Sequence, residues 1–131
     1  MAGILIVEDN STIRMLLTAG IKGMGITTPI TEARTIAQAR TCLQTITPDV
    51  IILDLRLPGE PGQNLIHHVR EELGQADTPI IVASAWLDGE QLVMEMGANL
   101  FLPKPIDIVA LLRAVQRFTT SSSTQDQPNL T

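Results

Sequence analysis

Three acids, a hydroxyl and an ammonium stand where this chain passes from apolar runs into polar turns. Glu8-Asp9 follows Ile4 to Val7, Asp54 follows Val50 to Leu53, Ser84 follows Ile80 to Ala83, and Lys104 lies just beyond Leu100 to Leu102. A carboxylate at the end of a buried apolar run is costly unless it is paired, hydrogen-bonded or bound to a cation. If the runs are neighbouring parallel strands, their carboxyl ends share one edge of a sheet, and side chains far apart in sequence meet there. Carboxylates gathered in this way raise one another's pKa unless positive charge neutralises them. Oxygen donors suit Mg²⁺ rather than zinc, for which His and Cys would be wanted. Clustered acids of this kind demand a cation, so the chemistry open to the set is that of a bound metal ion with a lysine as a second positive charge beside it.

The elements that must deliver these residues follow a repeated pattern. Short apolar runs alternate five times with longer stretches of helical period, and Gly, Pro, Asp or Asn marks each junction, which predicts an α/β fold with a parallel sheet. The strands are expected at Ile4 to Val7, Ile26 to Thr31, Val50 to Leu53, Ile80 to Ala83 and Leu100 to Leu102. Pro29 suits an edge for the second, because proline donates no ladder hydrogen bond. The third is apolar throughout and belongs in the centre. Helices are expected at Ser11 to Lys22, capped by Asn10 or Ser11 and stopped by Gly23, and at Ile36 to Thr45, Leu65 to Leu73, Gln91 to Met96 and Ile106 to Phe118. Residues 1–118 read as one domain and 119–131 as a flexible Ser/Thr/Gln-rich tail or the start of a linker.

Composition narrows the function. At 131 residues, with 44% hydrophobic and 18% charged residues, the chain is the size of one globular domain. Two Phe, one Trp and no Tyr make the core aliphatic and leave no stacking platform for single-stranded nucleic acid. A net charge of −5 also argues against direct nucleic-acid binding, which wants clustered Lys and Arg. A lone Cys42 in an apolar helical pattern reads as a core filler. The absence of an apolar stretch near the membrane-spanning length of about 20 residues, or of a recognisable leader, leads to the expectation of a cytoplasmic protein without membrane insertion. His67 and His68 are helix neighbours pointing about 100° apart, so they read as a solvated face rather than a metal pair.

The chain resembles the receiver domain of bacterial two-component response regulators, the family of the chemotaxis regulator, over roughly residues 3 to 118. The resemblance rests on Glu8-Asp9, on Asp54 within Leu53-Asp54-Leu55-Arg56-Leu57-Pro58-Gly59, on Ser84-Ala85, and on Phe101 followed by Lys104-Pro105. It implies a doubly wound, flavodoxin-like (βα)5 fold with strand order 2-1-3-4-5. It makes Asp54 the phosphoacceptor for a phosphohistidine on a sensor histidine kinase or histidine phosphotransfer protein. Mg²⁺ is then held by Asp9, Asp54 and the Arg56 backbone carbonyl, with Glu8 acting through water. Lys104 contacts the phosphoryl group, the Ser84 hydroxyl moves to it, and Phe101 swings into the vacated space, so that a downstream protein or output domain reads a changed surface.

Certain stretches depart from the family pattern. Members commonly carry Met-Asp-Gly or a similar triplet where this chain has Glu60-Pro61-Gly62, so a stiffer loop is expected there. Ser84 to Gly97 is short, and a fourth helix of about two turns is marginal without tertiary support, so it is expected to be mobile or displaced. Leu100 stands where one large subgroup of DNA-binding regulators has an acid used in dimer salt bridges. Two other functions compete: a receiver-like interaction module that works without phosphorylation, and an aspartyl-phosphate phosphatase. The phosphatase would want a second acid two residues after the nucleophile, where this chain has Arg56.

Overall fold

A computed structural model describes residues 3–125. Five parallel strands, β1 (Ile4–Val7), β2 (Ile30–Ala33), β3 (Val50–Leu53), β4 (Ile80–Ser84) and β5 (Leu100–Pro103), form one sheet in the order β2-β1-β3-β4-β5. The helices between and after them are α1 (Ser11–Gly23), α2 (Ile36–Cys42), α3 (Gln63–His67), α4 (Glu90–Met96) and α5 (Ile108–Gln125).

Strand alternation sorts the core into two layers, because successive side chains of a strand point to opposite faces. Leu5, Val7, Ile51, Leu53, Ile80 and Val82 join residues of α2, α3 and α4, including Ile36, Leu65 and Val93, on one side. Ile4, Ile6, Val50, Ile52 and Ile81 meet Leu17 and Ile21 of α1 and Leu111 and Val115 of α5 on the other. Every residue of β1 and β3 is therefore buried, as expected of strands covered on both faces. Cys42 packs against the first layer as a partly buried hydrophobe.

The differences from the expected elements have local causes. β2 begins at Ile30 instead of Ile26: the Pro29 carbonyl accepts from the Ile4 N–H at 2.8 Å, and the regular ladder begins only after it, pairing Ile4 with Ile30. β2 is nevertheless an edge strand. α2 stops at Cys42, where the Thr45 hydroxyl and the backbone N–H groups of Thr45 and Ile46 all converge on the Cys42 carbonyl. α3 starts at Gln63 and widens at His68 into a π-helical turn, His68–Glu72, instead of continuing as one helix to Leu73.

α4 is seven residues long and ends at Gly97, whose φ of +114° is a left-handed conformation open to glycine at little cost. Arg70 reaches across from the π-helical turn and donates from Nε and Nη2 to the Gly97 carbonyl, at 3.1 and 2.8 Å. α5 begins at Ile108, with the Asp107 carboxylate accepting from the Ala110 N–H, and runs past Phe118 to Gln125. Phe118 lies within this helix. The Thr119 hydroxyl donates to the Val115 carbonyl at 2.9 Å. The rest of the expected tail, residues 126–131, lies outside the described residues. Among the described residues no helix is long and apolar enough to cross a membrane.

Candidate phosphoacceptor site

The carboxyl ends of β1, β3 and β5 bring Glu8, Asp9, Asp54 and Lys104 together. Glu8, Asp54 and Lys104 continue the alternation of Ile4 and Ile6, of Val50 and Ile52, and of Leu100 and Leu102, the residues that pack on the α1 and α5 side. Lys104 Nζ donates to Glu8 Oε1 at 2.9 Å and to Asp54 Oδ2 at 3.1 Å. The second oxygen of each carboxylate takes a backbone donor: the Asn10 N–H reaches Glu8 Oε2 at 3.2 Å, and the Arg56 N–H reaches Asp54 Oδ1 at 3.1 Å. Glu8 and Asp54 are 4% and 6% exposed, so both are sheltered from solvent, whereas Asp9 is open to it.

Asn10, not Ser11, caps α1, its Oδ1 accepting from the Ile13 N–H at 3.0 Å. That leaves the two preceding acids free of capping duty. Arg14, one turn into α1, donates from Nη1 to the Glu8 carbonyl at 2.8 Å and from Nε to Glu32 at 3.0 Å. It fixes the backbone that carries the acid pair. Nothing local in the sequence marks this role, because Glu32 is 18 residues away and joins only through strand pairing.

Gly62 has a comparable hidden role. Its N–H donates to the Leu55 carbonyl at 2.8 Å, closing the loop that follows Asp54. A Cβ there would run into the Asp54 carbonyl oxygen and come within 2.6 Å of the Leu55 Cα. Since its φ is −60°, the position needs glycine for space and not for backbone freedom.

One ammonium serves two sheltered carboxylates, and the electrostatics show the imbalance. Burial pushes the Glu8 carboxyl above its ordinary value, the Asp54 charge adds to that, and the hydrogen bonds from Lys104 and Asn10 only partly offset it. Burial alone would lower the Lys104 ammonium, but its hydrogen bond to Glu8 and the charges of Asp54 and Glu8 outweigh burial and hold it above the ordinary lysine range. The pairing satisfies the lysine without fully compensating the glutamate.

Counting Glu8, Asp9 and Asp54 as negative and Lys104 as positive leaves a formal charge of −2, which matches one divalent cation. A ligand atom from each acid lies within 4.8 Å of the others. A purely oxygen donor set with one open, exposed member is the kind that Mg²⁺ takes, keeping several waters. The residues present fit that ion.

The sequence-predicted switch residues lie on the other side of the sheet. Ser84 is fully buried, and its Oγ accepts from the Trp86 N–H at 3.1 Å. Its backbone carbonyl accepts from the Lys104 N–H at 3.0 Å, but among the described residues its hydroxyl makes no hydrogen bond to Glu8, Asp9, Asp54 or Lys104. Phe101, paired in register with Val82, is 8% exposed and belongs to the core layer with α2, α3 and α4. His67 is exposed, as expected, but His68 is largely covered and its Nδ1 lies 2.7 Å from Glu72. Trp86 and the loop after Asp54 wall a groove of about 410 Å³, lined also by Leu55, Arg56, Leu57 and Gln63.

The family model of the response regulator receiver domain matches residues 4–116. The chain belongs to that family. Over 123 residues it is 32% identical to the DNA-binding transcriptional regulator NtrC of Escherichia coli, an alignment covering 94% of this chain and 26% of NtrC. It is 33% identical over 116 residues to the DNA-binding response regulator MtrA of Mycolicibacterium paratuberculosis, covering 85% of this chain and 49% of MtrA. This receiver thus spans about a quarter to a half of the length of these relatives. Among solved structures, it is similar to the receiver domain of the sensor histidine kinase PA1611 of Pseudomonas aeruginosa, at 29% identity and a TM-score of 0.76, with 88% of this chain and 95% of that one covered. That structure holds a magnesium ion in its active-site cleft. The acidic pocket of Glu8, Asp9 and Asp54 in this receiver is compatible with Mg²⁺ and with phosphorylation on aspartate.

Proposed function

We propose that Asp54 accepts a phosphoryl group from a phosphohistidine on a sensor histidine kinase or histidine phosphotransfer protein, and that the modified receiver is read by a downstream protein or an attached output domain. The observation that carries this reading is the placement of Asp54: a sheltered carboxylate held by Lys104 and the Arg56 N–H, beside two further acids. An Asp54 carboxylate oxygen attacks phosphorus in line. The O–P bond forms as the P–N bond to the donor imidazole breaks, and the imidazole leaves to take up a proton.

Glu8, Asp9, Asp54 and the Arg56 backbone carbonyl are the groups that would hold Mg²⁺. When bound, the ion neutralises the phosphoryl oxygens during transfer. Lys104 supplies the second positive contact and, being held in its charged form, keeps it at neutral pH. The Ser84 hydroxyl accepts from Trp86, so its own proton is free to be donated to a phosphoryl oxygen. Phosphorylation adds about −1.5 to −2 charge, which biases two packings of the loop after β4 and of Phe101. With Arg56 where a phosphatase would want its acid, the protein acts only on its own aspartate. A kinase-fed receiver of this kind works in the cytoplasm.

The test uses Trp86, the single tryptophan. Fluorescence is followed as Mg²⁺ and then beryllofluoride, a mimic of the phosphoryl group, are added. A Mg²⁺-dependent beryllofluoride response in the wild type and none in Asp54→Asn is expected. No response in the wild type would leave the interaction-module reading in its place.

A further inference from the structure

We infer that Arg40 and Glu60 form a positioning pair for the metal and phosphoryl site, acting through the loop that follows Asp54. This inference rests on the proposed function and extends it to residues that touch neither metal nor phosphate.

The loop from Leu55 to Gly62 begins at the phosphoacceptor and carries the Arg56 carbonyl. It is tied at its two ends: the Asp54 N–H donates to Val7 at 3.0 Å, and the Gly62 N–H donates to Leu55 at 2.8 Å. Its apex is tied by side chains. Arg40 of α2 donates from Nη1 and Nη2 to the two oxygens of Glu60, at 2.6 and 3.0 Å, and Glu60 Oε2 also accepts from Asn64 Nδ2 at 2.9 Å. Among the described residues, this fork is the one side-chain hydrogen-bonded link between residues 55–62 and an element distant in sequence. A two-pronged guanidinium–carboxylate pair fixes orientation as well as distance.

The anchor is rigid at the other end. Arg40 sits on α2, whose Ile36 and Ala39 are fully buried. That helix starts with the Thr35 hydroxyl accepting from the Gln38 N–H, while the Gln38 side chain takes the Arg34 N–H at 2.7 Å. Glu60 meanwhile lines the same groove as Arg56 and Trp86. The fork therefore holds the loop that must present the Arg56 carbonyl, and it uses the residue that departs from the family triplet.

Charge and position make opposite predictions, which allows a sharp test. If the pair acted only by its charges, removing the Arg40 cation would tighten binding of a divalent cation nearby, and removing the Glu60 anion would weaken it. If it positions the loop, both losses weaken binding. Mg²⁺ dissociation constants are measured by calorimetry and by Trp86 fluorescence on the full chain, for wild type, Arg40→Ala, Glu60→Gln and the exchanged pair Arg40→Glu with Glu60→Arg, with thermal unfolding recorded for each. Both single variants are expected to weaken Mg²⁺ by about tenfold, the low end of what losing an outer partner costs a metal site, with recovery in the exchanged pair. Tighter or unchanged binding in Arg40→Ala, with a folded protein and normal binding in the wild type, would overturn the inference. Absence of Mg²⁺ binding by the wild type itself would instead overturn the proposed function.

Discussion

Lys104 and Glu8 are 96 residues apart in the chain and 2.9 Å apart in the folded protein. The contact joins strands that are not neighbours: β4 and β3 lie between β5 and β1, so the lysine reaches past the end of β4 to Asp54 and past the end of β3 to Glu8. It is the pair that makes two sheltered carboxylates tolerable. Replacing Lys104 with Met leaves Glu8 and Asp54 without their shared donor and is expected to destabilise the protein by about 1–3 kcal/mol. Urea unfolding measures the loss. An unchanged midpoint would mean that the acids are adequately solvated without the lysine.

The same ammonium sets an alkaline limit. Its folded-state pKa is raised above the ordinary 10.5, burial being outweighed by Glu8 and Asp54. Its contribution is therefore fully present below the unfolded-state value and lost as pH rises through the folded-state one. The stability gap between wild type and Lys104→Met should be constant near neutrality and narrow only as pH rises beyond the ordinary lysine value of 10.5. The sequence has no tyrosine to confuse the titration. A gap that stays constant into strong alkali would contradict the pairing.

Much of this site was legible in the sequence because its residues sit at the ends of strands that announce themselves. Val50–Leu53 and Ile4–Val7 are apolar without interruption, and an uninterrupted run buried on both faces admits few other placements. β2 starts later than its sequence suggests because the β-branched residues from Ile26 to Thr28 look like strand, while only the partner ladder decides where pairing starts. The switch at His68 into a π-helical turn leaves no period to read. The roles of Arg14, Arg40 and Arg70 are not legible in the sequence for a common reason: each acts on a group brought close only by the fold, and a lone arginine on a helix carries no sign of its target.

Gly62 provides a steric prediction. An Ala at this position keeps an allowed backbone but pushes its methyl into the Asp54 carbonyl and Leu55. Forcing a methyl into such a space is expected to cost about 1–3 kcal/mol, and the displaced Asp54–Arg56 backbone should also weaken Mg²⁺ binding. Chemical unfolding and metal titration of Gly62→Ala check both parts. Wild-type values for both would show that the loop has room to spare.

Arg70 holds the end of α4. It donates to the Gly97 carbonyl twice, to the Gln75 carbonyl at 2.7 Å and to Asn99 Oδ1 at 3.1 Å, and Asn99 in turn accepts from the Ile80 N–H. Arg70→Ala is expected to lose about 2 kcal/mol and to speed amide exchange across Glu90–Met96 more than in β3. Equal exchange in wild type and variant would show that this short helix is held by its apolar contacts alone.

Phosphorylation of Asp54 is checked by intact mass after incubation with Mg²⁺ and a small-molecule phosphodonor such as acetyl phosphate. A gain of one phosphoryl group is expected in the wild type, lost on removing Mg²⁺ and absent from Asp54→Asn. No gain in the wild type, or an equal gain in Asp54→Asn, would contradict it.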